Sequence, residues 1–149
     1  MGMVLRRYRW LLILAIPAGF VIGVALGMAL TGGDLVAWGE YVLSLGYFSA
    51  LMGGLGGLGL YLGVELGDRS LTRGIRARVA LAAGGAAAAV FVTLLLIGIV
   101  TFLTANPGYV NPLTFVLMWT IPVVLVTAGI AALAVYATET GYRKLRIVT

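Results

Sequence analysis

The stretch "YVLSLGYFSALMGGLGGLGLYLGV", residues 41–64, decides the fold of this chain because it runs for 24 residues without a charged side chain. A helix that crosses a hydrocarbon core of about 30 Å at 1.5 Å per residue needs about 20 such residues. Three more uncharged apolar stretches accompany it, at residues 10–30, 79–103 and 113–137. The sequence therefore predicts an all-α integral membrane protein, with residues 1–149 forming a single transmembrane domain of four spans.

The overall composition supports the same class of protein. The 149 residues are 62% hydrophobic and only 10% charged, whereas soluble domains carry about 25% charged residues. The net charge of +5 is explained by the basic loops of a membrane protein. We therefore expect the lipid bilayer to be a partner, and we expect no nucleic acid.

Within residues 41–64, Gly54, Gly56 and Gly59 spell G-x-G-x-x-G, the fingerprint of a dinucleotide-binding loop. That fingerprint lies between a strand and a helix, with an acidic residue about 20 positions further on. Here the glycines lie inside an apolar span, and the residue at position 79 is a valine. The sequence indicates no nucleotide site, and we expect these glycines to pack helices together.

Small residues spaced four apart lie on one face of a helix and let a neighbouring backbone approach. The glycines predicted to form helix-packing or partner interfaces are Gly19, Gly23, Gly27, Gly46, Gly53 and Gly57. The third span repeats the spacing with Gly84 and Ala88. Two interpretations remain open: a four-helix bundle that uses every face internally, or a bundle that leaves the stripe of the first span for another subunit or a second copy.

The positions of the charges predict how the chain crosses the membrane. The ten Lys and Arg residues precede the first span, lie between the second and third, or follow the fourth, while the two other loops hold only Asp34 and Glu40. Because cytoplasmic loops retain positive charge, we expect an up-down bundle with both termini cytoplasmic. Nine of the ten are arginine, which suits a high-GC bacterium and predicts a multi-pass protein of the bacterial cytoplasmic membrane.

This topology gives a first testable prediction. Reporter fusions after Thr149 and within residues 66–76 should both show cytoplasmic activity, whereas a fusion near Gly108 should show external activity. Paired alkaline phosphatase and green fluorescent protein fusions at the three sites would measure this. An external C-terminus would contradict the whole arrangement.

The loop between the second and third spans contains a basic pattern of its own. Arg69, Arg73 and Arg76 are spaced to share one face if the segment is helical, so they are candidates for contact with anionic lipid headgroups. The ordinary excess of positive charge in cytoplasmic loops explains them equally well. Glu65 with Arg69, and Glu139 with Arg143, are spaced for pairs on the surface of a helix.

The residue types exclude most catalytic chemistry. The chain has no cysteine and no histidine, so it lacks the usual ligands of zinc and haem and the usual catalytic pairs. We expect no cofactor, metal or catalytic residue and no enzyme activity. None of the four spans contains Asp, Glu, Lys or Arg, so the chain is poorly equipped for ion-coupled transport alone.

Two functions remain after these exclusions. The first is a non-catalytic integral subunit, or an assembly or stabilising factor, of a larger bacterial membrane complex, docking through small-residue helix faces. The alternative is a component of a transporter or channel whose pathway forms on oligomerisation. The expected partners are other membrane subunits in the first case and further copies of the chain in the second.

Overall fold

The computed structural model describes residues 3–104 and 112–148. The described residues form four helices, α1 (Met3–Leu30), α2 (Leu35–Asp68), α3 (Ile75–Thr104) and α4 (Pro112–Val148). Each contains a segment long and apolar enough to cross a membrane, which confirms the prediction of an all-helical chain with four membrane-length helices. The loop around Gly108 lies outside the described residues.

All four helices extend beyond their apolar spans. The difference is largest in α4, which continues to Val148 although its uncharged stretch ends at residue 137. Hydropathy locates the part of a helix that suits hydrocarbon, whereas the helix itself can continue through polar residues that remain good helix formers. Most of the charged residues beside the spans therefore lie on helices rather than in loops, which determines where their side chains can reach.

The turn between α1 and α2 depends on two glycines. Gly32 and Gly33 have φ angles of 63° and 84°, a left-handed region that side chains with a Cβ rarely adopt. The amide of Gly33 donates to the carbonyl of Met28 at 2.9 Å, as at many helix C-termini that end in glycine. The chain thereby reverses within four residues, which places α2 antiparallel beside α1.

Helices α1 and α2 approach through small residues. A Cβ added at Gly23 would lie 2.6 Å from the Ser49 hydroxyl, and one added at Gly27 would lie 3.1 Å from the Cα of Val42. A Cβ at Gly19 would overlap the carbonyl oxygen of Ser49. Residues later in α1 contact residues earlier in α2, so the two helices are antiparallel, and their backbones nearly touch.

Helices α2 and α3 meet in the same manner. A Cβ at Gly59 would overlap the Gly85 carbonyl oxygen, and a Cβ at Gly85 would overlap the Gly59 carbonyl oxygen. The same Cβ at Gly85 would lie 2.9 Å from the Cα of Gly63. Glycine at these positions lets α2 lie between α1 and α3 with close contact on both sides.

The largest cluster of buried residues lies at one end of the bundle, which we call the arginine-rich end because it contains the start of α1 and the α2–α3 loop. All four helices contribute, with the members Val4, Tyr8, Leu60, Val64, Ala82, Ala86, Ala131 and Val135. Over their described lengths, α1 packs mainly on α2, α4 packs mainly on α3, and α1 has few contacts with α4. The bundle is thus closed at one end and divided by a groove further along.

Candidate functional site

Five ionisable side chains meet inside the arginine-rich end, and every helix supplies at least one. They are Arg7 and Tyr8 on α1, Asp68 at the end of α2, Arg78 on α3 and Glu139 on α4. Tyr8 is fully buried, and Glu139, Asp68 and Arg78 are 2%, 4% and 8% exposed. Because charged residues are almost never this buried without partners, we treat this ion-pair cluster as the first part of the candidate site.

Glu139 is the centre of the cluster. One carboxylate oxygen, Oε1, accepts a hydrogen bond from the Tyr8 hydroxyl at 2.5 Å. The other, Oε2, accepts from Nη2 of Arg7 at 2.7 Å and lies 2.8 Å from Nη1 of Arg78, a contact that is ionic without the angle of a hydrogen bond. A single carboxylate on α4 therefore ties that helix to both α1 and α3.

Arg78 connects the same cluster to α2. Its Nε donates to Oδ2 of Asp68 at 3.0 Å, and its Nη2 donates to the backbone carbonyls of Leu71 and Arg73 at 2.9 and 2.7 Å. The planar guanidinium presents several donors in fixed directions, which suits simultaneous contact with two carboxylates and a loop. Arg78 is thus the residue through which α2, α3 and α4 are all connected.

Asp68 also shapes the loop that follows α2. Its Oδ1 accepts from the backbone amides of Thr72 and Arg73 at 2.9 and 3.1 Å. Within this loop Leu71 has a φ of 55°, a strained conformation for a residue with a branched side chain. The Asp68 carboxylate and the Arg78 guanidinium hold the loop from two sides, which compensates for that strain.

The cluster is balanced in charge, because two arginines face two carboxylates. Bringing ions out of water is costly, and it is compensated only where geometry is good and the remaining hydrogen-bonding groups are satisfied. Removing one member would leave a buried charge of the opposite sign without its partner, at a cost of about 3–5 kcal/mol. The arrangement is therefore suited to fastening four helices in one geometry.

The second part of the candidate site is the apolar groove between α1 and α4, which has α2 as its floor and a volume of about 340 Å³. Representative lining residues are Ala18 and Ile22 on α1, Met52 and Gly56 on α2, and Val126 and Ile130 on α4. Ser49 and Thr127 also line it, and the Thr127 hydroxyl already donates to the carbonyl of Val123 at 2.8 Å. The groove therefore offers hydrocarbon contact and little polarity.

The groove ends where the ion-pair cluster begins. Leu11 on α1 and Ala134 on α4 are lining residues close to this end. Arg7 lies one helical turn before Leu11, on the same face of α1, and its guanidinium carbon lies 4.8 Å from the centre of the Tyr142 ring on α4. Arg7 therefore bridges α1 and α4 at the end of the apolar groove.

The glycines predicted from the sequence come together at one interface. All six, Gly19, Gly23, Gly27, Gly46, Gly53 and Gly57, lie between α1 and α2, where an added Cβ would meet the opposite helix. The stripe of the first span is therefore covered by the chain's own second helix. This stripe is therefore not open to a second chain in the folded bundle.

The sequence predicted two pairs of charged residues on helix surfaces. Glu65 and Arg69 do pair, at 3.3 Å, with the Arg69 side chain 84% exposed. Glu139 faces the interior and pairs with Arg7 and Arg78, while the side chain of its expected partner Arg143 lies outside the described part of the chain. Burial beside two other helices thus gives Glu139 partners that spacing along one helix did not indicate.

The three arginines proposed for lipid contact do not share a helical face. Residues 69–74 are not helical, since α2 ends at Asp68 and α3 begins at Ile75. Arg69 follows α2, Arg73 lies in the loop with its backbone bonded to Asp68 and Arg78, and Arg76 lies in the first turn of α3. All three are exposed, but the prediction required residues 69–76 to form one helix, and they do not.

The ion-pair cluster itself was not predicted, although the sequence contains a signal for it. Ala131, Val135 and Glu139 are spaced four apart and are all buried, so they form one inward face of α4. Arg78 continues the inward face of α3 in the same way, four residues before Ala82. Extending the inward stripe of each span into its charged flank would have located both residues.

Comparison with known proteins adds no family to this description. No protein-family model, curated protein or solved structure matches the chain.

Proposed function

We propose that this chain is a non-catalytic integral subunit, or an assembly or stabilising factor, of a larger bacterial membrane complex. The observation that carries the proposal is Gly84 on α3, which is exposed and has no atom within 4 Å of where a Cβ would stand. Glycine inside a helix costs about 1 kcal/mol relative to alanine. The inward glycines offset that cost by close helix contact, whereas Gly84 has no such contact within the described chain.

The neighbours of Gly84 form an outward surface of the right shape. Ala80 and Ala88 stand four residues to either side and are also exposed, so α3 presents a small-xxx-small stripe to its surroundings. A shallow depression beside it is lined by Gly63, Ala77 and Leu81, among others. Such a stripe lets the backbone of another membrane helix approach closely, and we propose it as the docking surface for the partner subunit.

A rigid bundle is what such a subunit requires. The ion-pair cluster fastens the four helices at one end through Glu139 and Arg78, and close glycine contacts hold α2 against α1 and α3. Preformed surfaces bind with less loss of conformational freedom than flexible ones. The orientation with both termini in the cytoplasm, predicted from the arginines, would place the fastened end on the cytoplasmic side.

The docking surface is tested by replacing Gly84 with leucine, which places a large side chain where the partner backbone would pass. The variant should insert and fold, because the position is open, but should lose the complex in which the wild type is extracted by mild detergent. Native mass spectrometry of both proteins measures this. Gly129→Leu is the matched control, since Gly129 is equally open but has Leu125 and Leu133 four residues away; loss of the complex in both variants would contradict the assignment.

The same measurement distinguishes the second candidate function, a transporter or channel component whose pathway forms on oligomerisation. Ionisable residues inside membrane bundles commonly mark transport pathways. The ion-pair cluster is the observation that supports this alternative. A subunit of a larger complex should be extracted with other proteins in fixed stoichiometry. A channel former should instead give a mass equal to a small multiple of this chain alone.

A further inference from the structure

We infer that the groove between α1 and α4 holds one acyl chain of an anionic phospholipid, whose phosphate lies at Arg7. This inference concerns a different surface from the Gly84 stripe and does not depend on the proposed function. It rests on the size of the groove, on its apolar lining, and on the partly exposed arginine at its end.

The dimensions of the groove suit a single hydrocarbon chain. Its volume of about 340 Å³ falls near the lower limit of small-ligand sites, which occupy roughly 300–1,000 Å³. Along α1 it extends from Leu11 to Leu26, or about 22 Å at 1.5 Å per residue. A long groove of this volume matches one extended acyl chain.

The lipid bilayer around the protein is the source of the chain that fills the groove. At membrane depth a groove lined by Ala18, Ile22 and Val126 offers water almost no hydrogen-bonding partners, and an empty groove would forfeit the dispersion contacts of its walls. The bilayer presents acyl chains directly to this opening. An extended chain running along the groove would cover the glycine floor at Gly56 and contact both walls.

Arg7 selects an anionic headgroup and sets the orientation of the lipid in the groove. The Arg7 side chain is 28% exposed, and its Nε is buried without a hydrogen-bond partner among the described residues. Its Nη2 is used by Glu139, and its guanidinium lies over the Tyr142 ring. The part of the Arg7 side chain that remains exposed lies at the end of the apolar groove and carries a positive charge, which suits a phosphate oxygen, so the headgroup would lie at the arginine-rich end.

The inference is tested by native mass spectrometry of the delipidated full chain titrated with phosphatidylglycerol or phosphatidylcholine. We expect one phosphatidylglycerol per wild-type chain, bound more tightly than phosphatidylcholine. Ala18→Phe, which fills the groove from an exposed wall position, should abolish this single adduct for both lipids. Val21→Phe is the matched control, because Val21 is 64% exposed on α1 and is not among the residues lining the groove; it should retain the adduct.

A second pair of variants tests the headgroup contact. Arg7→Gln also removes a partner of Glu139 and so lowers stability, and it is therefore measured under conditions in which circular dichroism shows the variant to be folded. There it should reduce the preference for phosphatidylglycerol over phosphatidylcholine about fivefold, the value of one basic residue near an anionic headgroup, while binding of an acyl chain persists. Arg6→Gln should leave the preference unchanged, because Arg6 is exposed and lies on another face of α1. If the wild type binds no single lipid, or if Ala18→Phe and Val21→Phe lose lipid equally, the inference is overturned.

Discussion

Replacement of Glu139 by glutamine should lower the free energy of unfolding by about 3–5 kcal/mol, because Arg7 would lose its carboxylate partner and Arg78 would keep only that of Asp68. Glutamine keeps the size of the side chain and can still accept a hydrogen bond from Tyr8. The loss therefore reports the missing charge rather than a cavity. Titration of the purified protein in micelles with sodium dodecyl sulfate, followed by circular dichroism, measures it.

Glu65→Gln is the control for this measurement. It removes the same charge from the same end of the bundle. The Glu65 side chain is 19% exposed, but its one arginine partner among the described residues, Arg69, is 84% exposed, so water can solvate the arginine that remains and the pair should contribute about 0–1 kcal/mol. A loss of stability in Glu139→Gln no greater than that in Glu65→Gln would show that the cluster does not fasten the helices. Such a result would also remove the basis for a rigid docking subunit.

Gly85→Ala should destabilise the bundle by about 1–3 kcal/mol or more, although it adds a single methyl group. The new Cβ would overlap the carbonyl oxygen of Gly59 and lie 2.9 Å from the Cα of Gly63. Both are backbone atoms, so relief requires the separation of α2 from α3. The same denaturation experiment measures the loss.

The adjacent residue provides the control. Gly84→Ala adds the same methyl group one position earlier on the same helix, where it would meet no atom within 4 Å. Because alanine has the higher helix propensity, this variant should be at least as stable as the wild type. Equal destabilisation by the two substitutions would contradict the assignment, because it would show that the close contact with α2 is not what makes position 85 sensitive.

The number and approximate position of the helices could be predicted from the sequence because both follow from hydropathy. An uncharged stretch such as residues 41–64 can be read without knowing its neighbours. The small residues at four-residue spacing could likewise be found. Which helix each stripe faces could not, since Gly84 and Gly85 are adjacent glycines with the same local surroundings and point in different directions.

The candidate site was harder to predict because it is made by contacts between distant parts of the chain. Hydropathy treats a charge as the boundary of a span, so Arg7, Asp68 and Glu139 were assigned to polar flanks. Arg7 and Glu139 are separated by 132 residues, and they meet because the packing of α2 and α3 between them brings the start of α1 and the end of α4 to the same end of the bundle. The groove is equally nonlocal, since its walls belong to the first and last helices.

The ion-pair cluster also has a consequence for biosynthesis. The partners Asp68 and Arg78 lie ten residues apart, so the hairpin of α2 and α3 leaves the ribosome with its own internal neutralisation. Arg7, in contrast, must wait for almost the entire chain to be translated before Glu139 reaches it. Helix α4 is thus the segment whose arrival completes the cluster, and a nascent chain released before it would leave both arginines without the acid they share.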